Sequence, residues 1–317
     1  ALARWWTMRR HLRHSGADSG FFLSLDLLAL PLAFGLGAQG KTLSGILFRP
    51  SVHYGSFDGH RTHGRERLRD VRKDVLYRLM LRNPALERVL SLDPFFPAHA
   101  GKHYANGGKV EHLPDPAHPE AKAVPAGNDN GPKDTDRITF LLFGYLTERK
   151  GPLVVLDALE RLTPSTTAKI GVVMAGRVDP ALRSRLDERC TRLAALHPQL
   201  RLSIEDRRLD QAELESLVRR SDVVLAPYQR FVGSSGVLLW AARAGKPVLA
   251  QAYGLVGHLT RQHRLALSVD SSAAVAVAAA ITQMAQLGPS SFVDLSAARA
   301  FAASQTPQRF AAAVLAA

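Results

Sequence analysis

The stretch ITFLLFGYLTERKGP, residues 138–152, predicts a buried strand, a turn and the start of a helix in immediate succession. Its first six residues are apolar or β-branched, as expected for a strand that is covered on both faces. The strand ends at Gly144, the turn carries Arg149 and Lys150, and Gly151 leads into the helix. Two cations and the unpaired amides of a helix N-terminus then converge, which favours an anion-binding turn.

A second stretch, DVVLAPYQRFVGSSGVLLWAARAGKPV at residues 222–248, has the same plan. Its strand DVVLAP leads through Gly233, Ser234, Ser235 and Gly236 into a helix. Small residues permit a close approach of the backbone to a ligand, and the helix N-terminus attracts an anion. This stretch therefore predicts another anion-binding turn.

Strand and helix patterns alternate along the chain. In the second half, strands are expected at ITFLLF, KIGVVMA, LRLSI, DVVLAP, PVLA and LALSVD, and helices at 153–162, 180–196, 211–220 and 236–244. The alternation is less regular in the first half. Its strand candidates are GFFLSLD, SGILF, RVLSLD and KVEHL, and it has a helical pattern at 65–81. The alternation predicts an α/β fold with mainly parallel sheets covered on both faces.

A change in composition divides the chain into two domains. Residues 118–137, HPEAKAVPAGNDNGPKDTDR, lack nearly all large apolar side chains and are typical of a linker. We therefore predict an N-terminal domain over 1–118, a linker over 119–136 and a C-terminal domain over 137–317. Two such domains would leave a cleft between them, at the carboxyl ends of the strands where ligands of open sheets bind.

The composition restricts the classes of partner. The formal net charge of +13 over 317 residues predicts attraction to polyanions: nucleic acid, phosphorylated small molecules or an anionic membrane surface. Nucleic acid is disfavoured because the basic residues form no stripe and are not interleaved with aromatic side chains. General solubility explains the charge equally well. The single cysteine, Cys190, excludes an internal disulfide, and with no signal peptide or membrane-spanning run visible we expect a cytoplasmic protein.

Residues 35–42, GLGAQGKT, match the phosphate-binding loop G-x-x-x-x-G-K-[ST] letter for letter. Such a loop must follow a buried strand and open a helix. The preceding LDLLALPLAF contains Pro31, which is unsuited to a central strand, and the following SGILFRP resembles a strand more than a helix. We expect a glycine-rich turn between helix and strand, and keep a P-loop nucleotide-binding protein as an alternative.

The second half resembles the retaining glycosyltransferases of family four, which have the GT-B architecture of two facing Rossmann-like domains. FGYLTERKG is similar to the family's G-R-L-x-x-x-K-G turn, and GVLLWAARAGKPVLA is similar to its E-A-x-A-x-G-x-P-V helix and strand. The resemblance covers about residues 138–270. The first half matches only in SGILFRP and VEHLPDP, and the family's first strand and glycine-rich turn have no counterpart there.

The resemblance implies a donor-binding site for a nucleotide-sugar. Lys150, with Arg149 beside it in the turn after Gly144, would neutralise the diphosphate. The same group would be bound by the backbone amides of Ser234, Ser235, Gly236 and Val237. The scheme requires no metal ion and no cofactor, and it leaves the acceptor, the sugar and the base unidentified.

The sequence departs from the family pattern at three positions. Tyr145 replaces the usual arginine, and the two glutamates of the E-x7-E motif fall on Val232 and Trp240. The second glutamate normally accepts hydrogen bonds from the ribose, and Trp240 cannot accept them. Two interpretations remain. In the first, the enzyme is active and Trp240 supplies an apolar surface to the nucleotide; in the second, the protein is a non-catalytic GT-B scaffold. We favour activity, and the simplest role for Trp240 is to fill the core between the domains.

Other residues are weaker candidates. Asp26 ends the strand pattern FFLSLD and is a candidate catalytic base for the acceptor. His53, His60 and His63 could be metal ligands or a base, although histidines in a polar loop are usually solvated. The serines of GSSG have no recognisable histidine and acid partners, which argues against a hydrolase.

Overall fold

The computed structural model describes residues 2–37, 40–57, 64–116 and 136–316. These residues form two compact units, each with its own parallel sheet. Unit 1 comprises residues up to Pro116, Val232–Ser234 and residues from Gln305 onward, and unit 2 comprises the rest. Within the described ranges no strand pairing joins the two sheets.

Unit 1 contains four strands and the first helices of the chain. The strands are β1 (Ser19–Phe22), β2 (Thr42–Leu47), β3 (Leu86–Ser91) and β4 (Val110–His112). They pair in parallel in the order β1-β2-β3-β4. The helices are α1 (Leu2–His14), α2 (Ala29–Ala33), α3 (Gly64–Met80) and α4 (Phe96–His103).

The core of unit 1 lies on both faces of this sheet. Leu43 and Leu47 of β2 point to one face, where they pack with Trp5 of α1, Leu32 of α2 and Tyr77 of α3. Because successive strand residues point to opposite faces, Ile46 of β2 faces the other way and joins a separate cluster.

Unit 2 carries a six-stranded sheet. Its strands are β5 (Ile138–Phe143), β6 (Ile170–Ala175), β7 (Arg201–Glu205), β8 (Val223–Ala226), β9 (Val248–Gln251) and β10 (Ala266–Val269). All neighbours are parallel in the order β10-β9-β8-β5-β6-β7. The chain thus builds one half of the sheet from β5 outward, then returns to the centre at β8 and builds the other half.

Helices follow the strands of unit 2 in turn. They are α5 (Pro152–Leu159), α6 (Pro164–Thr167), α7 (Arg183–Leu196), α8 (Gln211–Arg220), α9 (Val237–Arg243), α10 (Gly254–Gln262), α11 (Ala274–Leu287) and α12 (Leu295–Ser304). The start of α8 is set by a capping box, in which Asp210 accepts from the Glu213 amide and the Glu213 side chain accepts from the Asp210 amide.

The last helix, α13 (Pro307–Leu315), packs in unit 1. Its apolar side chains Phe310, Ala313 and Val314 lie against the cluster of Ile46, Leu90 and Leu113. The predicted C-terminal domain ran to residue 317, whereas the packing groups residues from Gln305 onward with unit 1.

Every strand expected from the sequence is present, although some are shorter. GFFLSLD is an example, since β1 ends at Phe22 and Asp26 lies beyond it in a 3-10 turn, Leu25–Leu27. The helices α1, α4, α6 and α10 to α13 had no sequence prediction.

The surroundings of Lys41 differ from those of a phosphate-binding loop. Helix α2 precedes the segment and β2 begins at Thr42, the reverse of the strand-to-helix order that the loop requires. The Lys41 ammonium donates to the backbone carbonyls of Leu12, at 2.9 Å, and Ala17. Residues 38 and 39 lie outside the described residues. The segment joins a helix to a strand, as expected.

Two neighbouring glycines provide a test of packing in unit 1. A Cβ on Gly107 would lie 1.9 Å from the carbonyl oxygen of Ala100, whereas a Cβ on Gly108 would meet nothing within 4 Å. We expect Gly107→Ala to lower the free energy of unfolding of unit 1 by about 1–3 kcal/mol, because the α4 backbone must move. Gly108→Ala is the matched control and should change it by less than about 1 kcal/mol.

The measurement is urea unfolding followed by tryptophan fluorescence. Trp5 and Trp6 lie in unit 1, so a Trp240→Phe background restricts the signal to that unit. Equal midpoints for the two alanine variants would contradict the prediction.

Candidate functional site

The strand order of unit 2 places two strand-to-helix turns side by side. Strands β5 and β8 are neighbours, and the direction of chain progression reverses between them. In open parallel sheets ligands bind at the carboxyl ends of the strands at such a reversal. The turn after β5 contains Arg149 and Lys150, and the turn after β8 contains Tyr228 and Ser235.

The two turns are held together by backbone contacts. Gly151 has a left-handed φ of 79°, and a Cβ there would lie 2.2 Å from the Pro227 carbonyl oxygen. Next to this contact, the amide of Gln229 donates to the carbonyl of Arg149 over 2.8 Å. Glycine is therefore required at position 151, both for its backbone angle and for this approach.

Lys150 projects over the end of β5. Its Nζ would lie 3.3 Å from a Cβ built on Gly144, so a side chain at that position would crowd the ammonium. The ammonium donates to the Tyr228 hydroxyl over 3.2 Å and lies 4.9 Å from the Tyr228 ring centroid. This aromatic face stabilises the cation without neutralising it.

A hydrogen-bonded chain runs from Lys150 to the start of α9. The Tyr228 Oη lies 2.7 Å from Ser235 Oγ. Because the ammonium can only donate, Tyr228 accepts from Lys150 and can pass its own hydrogen to Ser235. The Ser235 hydrogen and two of the three Lys150 hydrogens are then available to a ligand, so the site presents donors suited to an anion.

Arg149 adds a second cation. Its guanidinium lies 4.7 Å from the ring centroid of Phe231, and the side chain is exposed. A guanidinium stacked on a ring keeps its donors in one plane, which suits phosphate oxygens.

Tyr228 was not among the site residues predicted from the sequence. Tyr228 is buried, and its carbonyl accepts from Ser271 Oγ and Tyr253 Oη, both over 2.8 Å. The available signal was its position directly after the strand pattern DVVLAP, two residues beyond the end of β8. The strand order that makes β8 the neighbour of β5 was needed to use it.

The other predicted donor-site residues lie around these turns. Gly236 and Val237 begin α9 directly after Ser235, and Trp240 is half-buried one turn later. Val232 and Ser234 pack with unit 1. Tyr145, in the position of the family's arginine, is 55% exposed.

Asp26 has a structural partner in unit 1. Its Oδ2 accepts from the amide of Phe48 over 2.9 Å, directly after β2. The carboxylate thus satisfies the backbone where the chain leaves that strand. Its assignment as an acceptor-site base stays a prediction.

His53 is buried in an aromatic cluster. Its Nε2 lies 2.8 Å from Asp93 Oδ2, and its ring stacks on His99 at a centroid distance of 5.2 Å. The expectation that the loop histidines are solvated is therefore wrong for His53, because aromatic residues enclose its side chain. His60 and His63 lie outside the described residues, and within those residues no group of three or more candidate ligands is placed to hold a metal ion.

Comparison with solved structures identifies the fold as the GT-B fold of glycosyltransferases. The chain is similar to sucrose-phosphate synthase from Thermosynechococcus elongatus, with a TM-score of 0.68, 18% identity and coverage of 98% of this chain and 75% of the synthase. It is also similar to HepE from Anabaena in complex with UDP, with a TM-score of 0.65, 14% identity and coverage of 98% and 81%.

A third similar structure is WaaG, a glycosyltransferase involved in lipopolysaccharide biosynthesis, with a TM-score of 0.62, 18% identity and coverage of 98% and 81%. Residues 137–286 match the family model described as "Glycosyl transferases group 1". None of the curated proteins compared with the chain matches it. The family match spans both turns of the site.

The cluster around His99 makes stability depend on pH. The pKa of His99 is lowered to about 4, first by burial and then by His53 and His103. The unfolded chain binds this proton near pH 6.5 and the folded chain does not. The contribution of neutral His99 is therefore complete above pH 6.5 and is lost progressively as the pH falls toward 4.

We expect the free energy of unfolding of wild type to decrease below pH 6.5 more steeply than that of His99→Gln, by at most about 1.4 kcal/mol per pH unit. Urea unfolding at several pH values between 7 and 4 measures the difference. The subtraction removes the contributions of His112 and His263, whose pKa values are also lowered by burial. Parallel curves for the two proteins would contradict the assignment.

Proposed function

We propose that this chain is a glycosyltransferase that moves a sugar from a nucleotide-sugar to an acceptor with retention of anomeric configuration, as in family four. The observation that carries the proposal is the position of Lys150 at the reversal of the unit 2 sheet, within hydrogen-bonding distance of Tyr228. The family match over this unit and the similarity to UDP-bound HepE support it.

The site chemistry suits departure of a nucleoside diphosphate. When the bond between the anomeric carbon and the diphosphate oxygen breaks, negative charge accumulates on the leaving group. Lys150 and Arg149 supply positive charge at that point, and Ser235 supplies a neutral donor. In this proposal the cations stabilise the leaving group without a metal ion, and Asp26 is the candidate that takes the acceptor proton.

The replacement of both motif glutamates favours a second candidate function. Val232 and Trp240 provide no carboxylate for a ribose, so a scaffold that binds donor weakly or not at all also fits the sequence. A P-loop function has less support, because Lys41 is hydrogen-bonded to backbone carbonyls and a strand follows it.

A panel of nucleotide-sugars tests the proposal. Release of nucleoside diphosphate is measured with and without candidate acceptors, starting with UDP-glucose, which one of the HepE structures contains. Release that is abolished in Lys150→Ala supports the transferase. Binding without release across the panel would favour the scaffold, and the absence of both would overturn the donor site.

Lys150→Ala should weaken binding of the best nucleoside diphosphate about ten-fold to a hundred-fold, because a charge-assisted hydrogen bond contributes about 1.5–3 kcal/mol. Lys41→Ala should change it by less than about two-fold, and the exposed Lys169→Ala is a control in unit 2. Calorimetry measures all three. Loss of binding in Lys41→Ala with retention in Lys150→Ala would place the anion at residues 35–42 instead.

Trp240→Glu tests the missing ribose contact. Wild type should bind ribose and deoxyribose nucleoside diphosphates about equally, because an indole cannot accept hydrogen bonds from ribose hydroxyls. The glutamate should restore a preference for ribose, with Trp240→Gln as the uncharged control. A clear ribose preference in wild type would contradict this interpretation.

A further inference from the structure

Helix α3 of unit 1 exposes apolar side chains along its outermost edge. Leu68, Val71, Val75 and Leu79 are 64%, 55%, 51% and 41% exposed. With 3.6 residues per turn, these four positions lie within about 80° of one another around the helix. Tyr77 and Met80, on the opposite side, are buried in the core. The helix is therefore apolar on two sides, and only one side has a partner within unit 1.

Helix α2 extends this surface. Leu30 and Phe34 are 46% and 77% exposed, and they line one shallow depression together with Val71, Val75 and Leu79 of α3. We call the six side chains Leu30, Phe34, Leu68, Val71, Val75 and Leu79 the apolar ridge. Monomeric soluble proteins expose single apolar side chains widely, but a contiguous set of this kind marks an interaction surface.

Arginines lie on both sides of the apolar ridge. Arg69 and Arg72 flank it on one side of α3, Arg67 and Arg78 flank it on the other, and all four are exposed. Arg67 and Arg72 have no carboxylate partner among the described residues. The ridge is thus bordered by positive charge that is not fully compensated.

Two of the three acidic residues of α3, Asp70 and Asp74, are engaged in other contacts. Asp70 accepts from Ser51 Oγ over 2.9 Å, and Asp74 accepts from Tyr104 Oη over 2.7 Å and from Arg78 over 3.2 Å. These contacts tie both carboxylates to neighbouring elements. The field over the ridge is therefore set mainly by arginine.

We propose that the apolar ridge docks unit 1 on an anionic lipid bilayer. The apolar side chains would enter the boundary between headgroups and acyl chains while the arginines contact lipid phosphates. The helix would lie in the plane of the interface. No helix among the described residues is long and apolar enough to cross a bilayer.

Charge selects the bilayer over a second copy of the chain. A symmetric dimer through the ridge would place the arginines of one copy close to those of the other, and like charges at an interface are unfavourable. The formal net charge of +13 opposes self-association further and favours a polyanionic surface.

The test is cosedimentation of the full chain with vesicles of phosphatidylcholine alone or with 30% phosphatidylglycerol. We expect binding to the anionic vesicles, reduced at least ten-fold in Leu68→Ser/Leu79→Ser. The matched control is Val275→Ser/Leu287→Ser, because these side chains are 66% and 63% exposed on α11 of unit 2. The control should bind within about two-fold of wild type.

The charge is tested by a second pair of variants. Arg67→Gln/Arg72→Gln should lose about twenty-five-fold in binding at low salt, since each basic residue near the surface contributes about five-fold. Arg208→Gln/Arg299→Gln removes the same net charge from unit 2 and should lose much less.

Three results would overturn the proposal: no binding of wild type to anionic vesicles, equal binding to neutral vesicles, or equal losses in the test and control variants. Sedimentation velocity without lipid detects the remaining alternative. A dimer of wild type that dissociates in Leu68→Ser/Leu79→Ser, with unchanged vesicle binding, would assign the ridge to a second copy. None of these readouts depends on donor binding.

Discussion

The close approach of the Gly151 backbone to the Pro227 carbonyl is the contact on which the candidate site depends. It brings the turn after β5 against the turn after β8, and the hydrogen bond from the Gln229 amide to the Arg149 carbonyl fixes the position of one turn relative to the other. Lys150 reaches Tyr228 because of that spacing, and Tyr228 in turn reaches Ser235. A larger residue at position 151 would separate all three groups at once.

The resulting site is specialised for charge more than for nucleoside recognition. Two cations lie over aromatic rings, Lys150 over Tyr228 and Arg149 over Phe231. These contacts stabilise the cations but do not neutralise their positive charge. The positions of the two motif glutamates carry Val232 and Trp240 instead. If donor binding is retained, most of its free energy must therefore come from phosphate contacts and from apolar surface.

Much of the fold could be predicted from the sequence, because strands covered on both faces appear as short apolar runs bounded by turn residues. Runs such as ITFLLF and DVVLAP have this form. The helix α11 was not predicted because its alanine and valine residues carry little polar periodicity. Of the site, Lys150 and Ser235 were accessible from local patterns, whereas Tyr228 required knowledge of strand neighbours. The burial of His53 depends on Asp93, forty residues away, which no local pattern indicates.

The packing of α13 in unit 1 has a consequence for how the chain is made. A ribosome completes unit 2 through Ser304 before it has synthesised Pro307–Leu315, yet that helix covers Ile46, Leu90 and Leu113 of the unit whose strands emerged first. This apolar cluster of unit 1 therefore lacks the helix that covers it while about two hundred residues are added, and domains that expose apolar surface during synthesis are prone to aggregate or to bind chaperones. The order in which the two units mature is thus opposite to the order in which they begin.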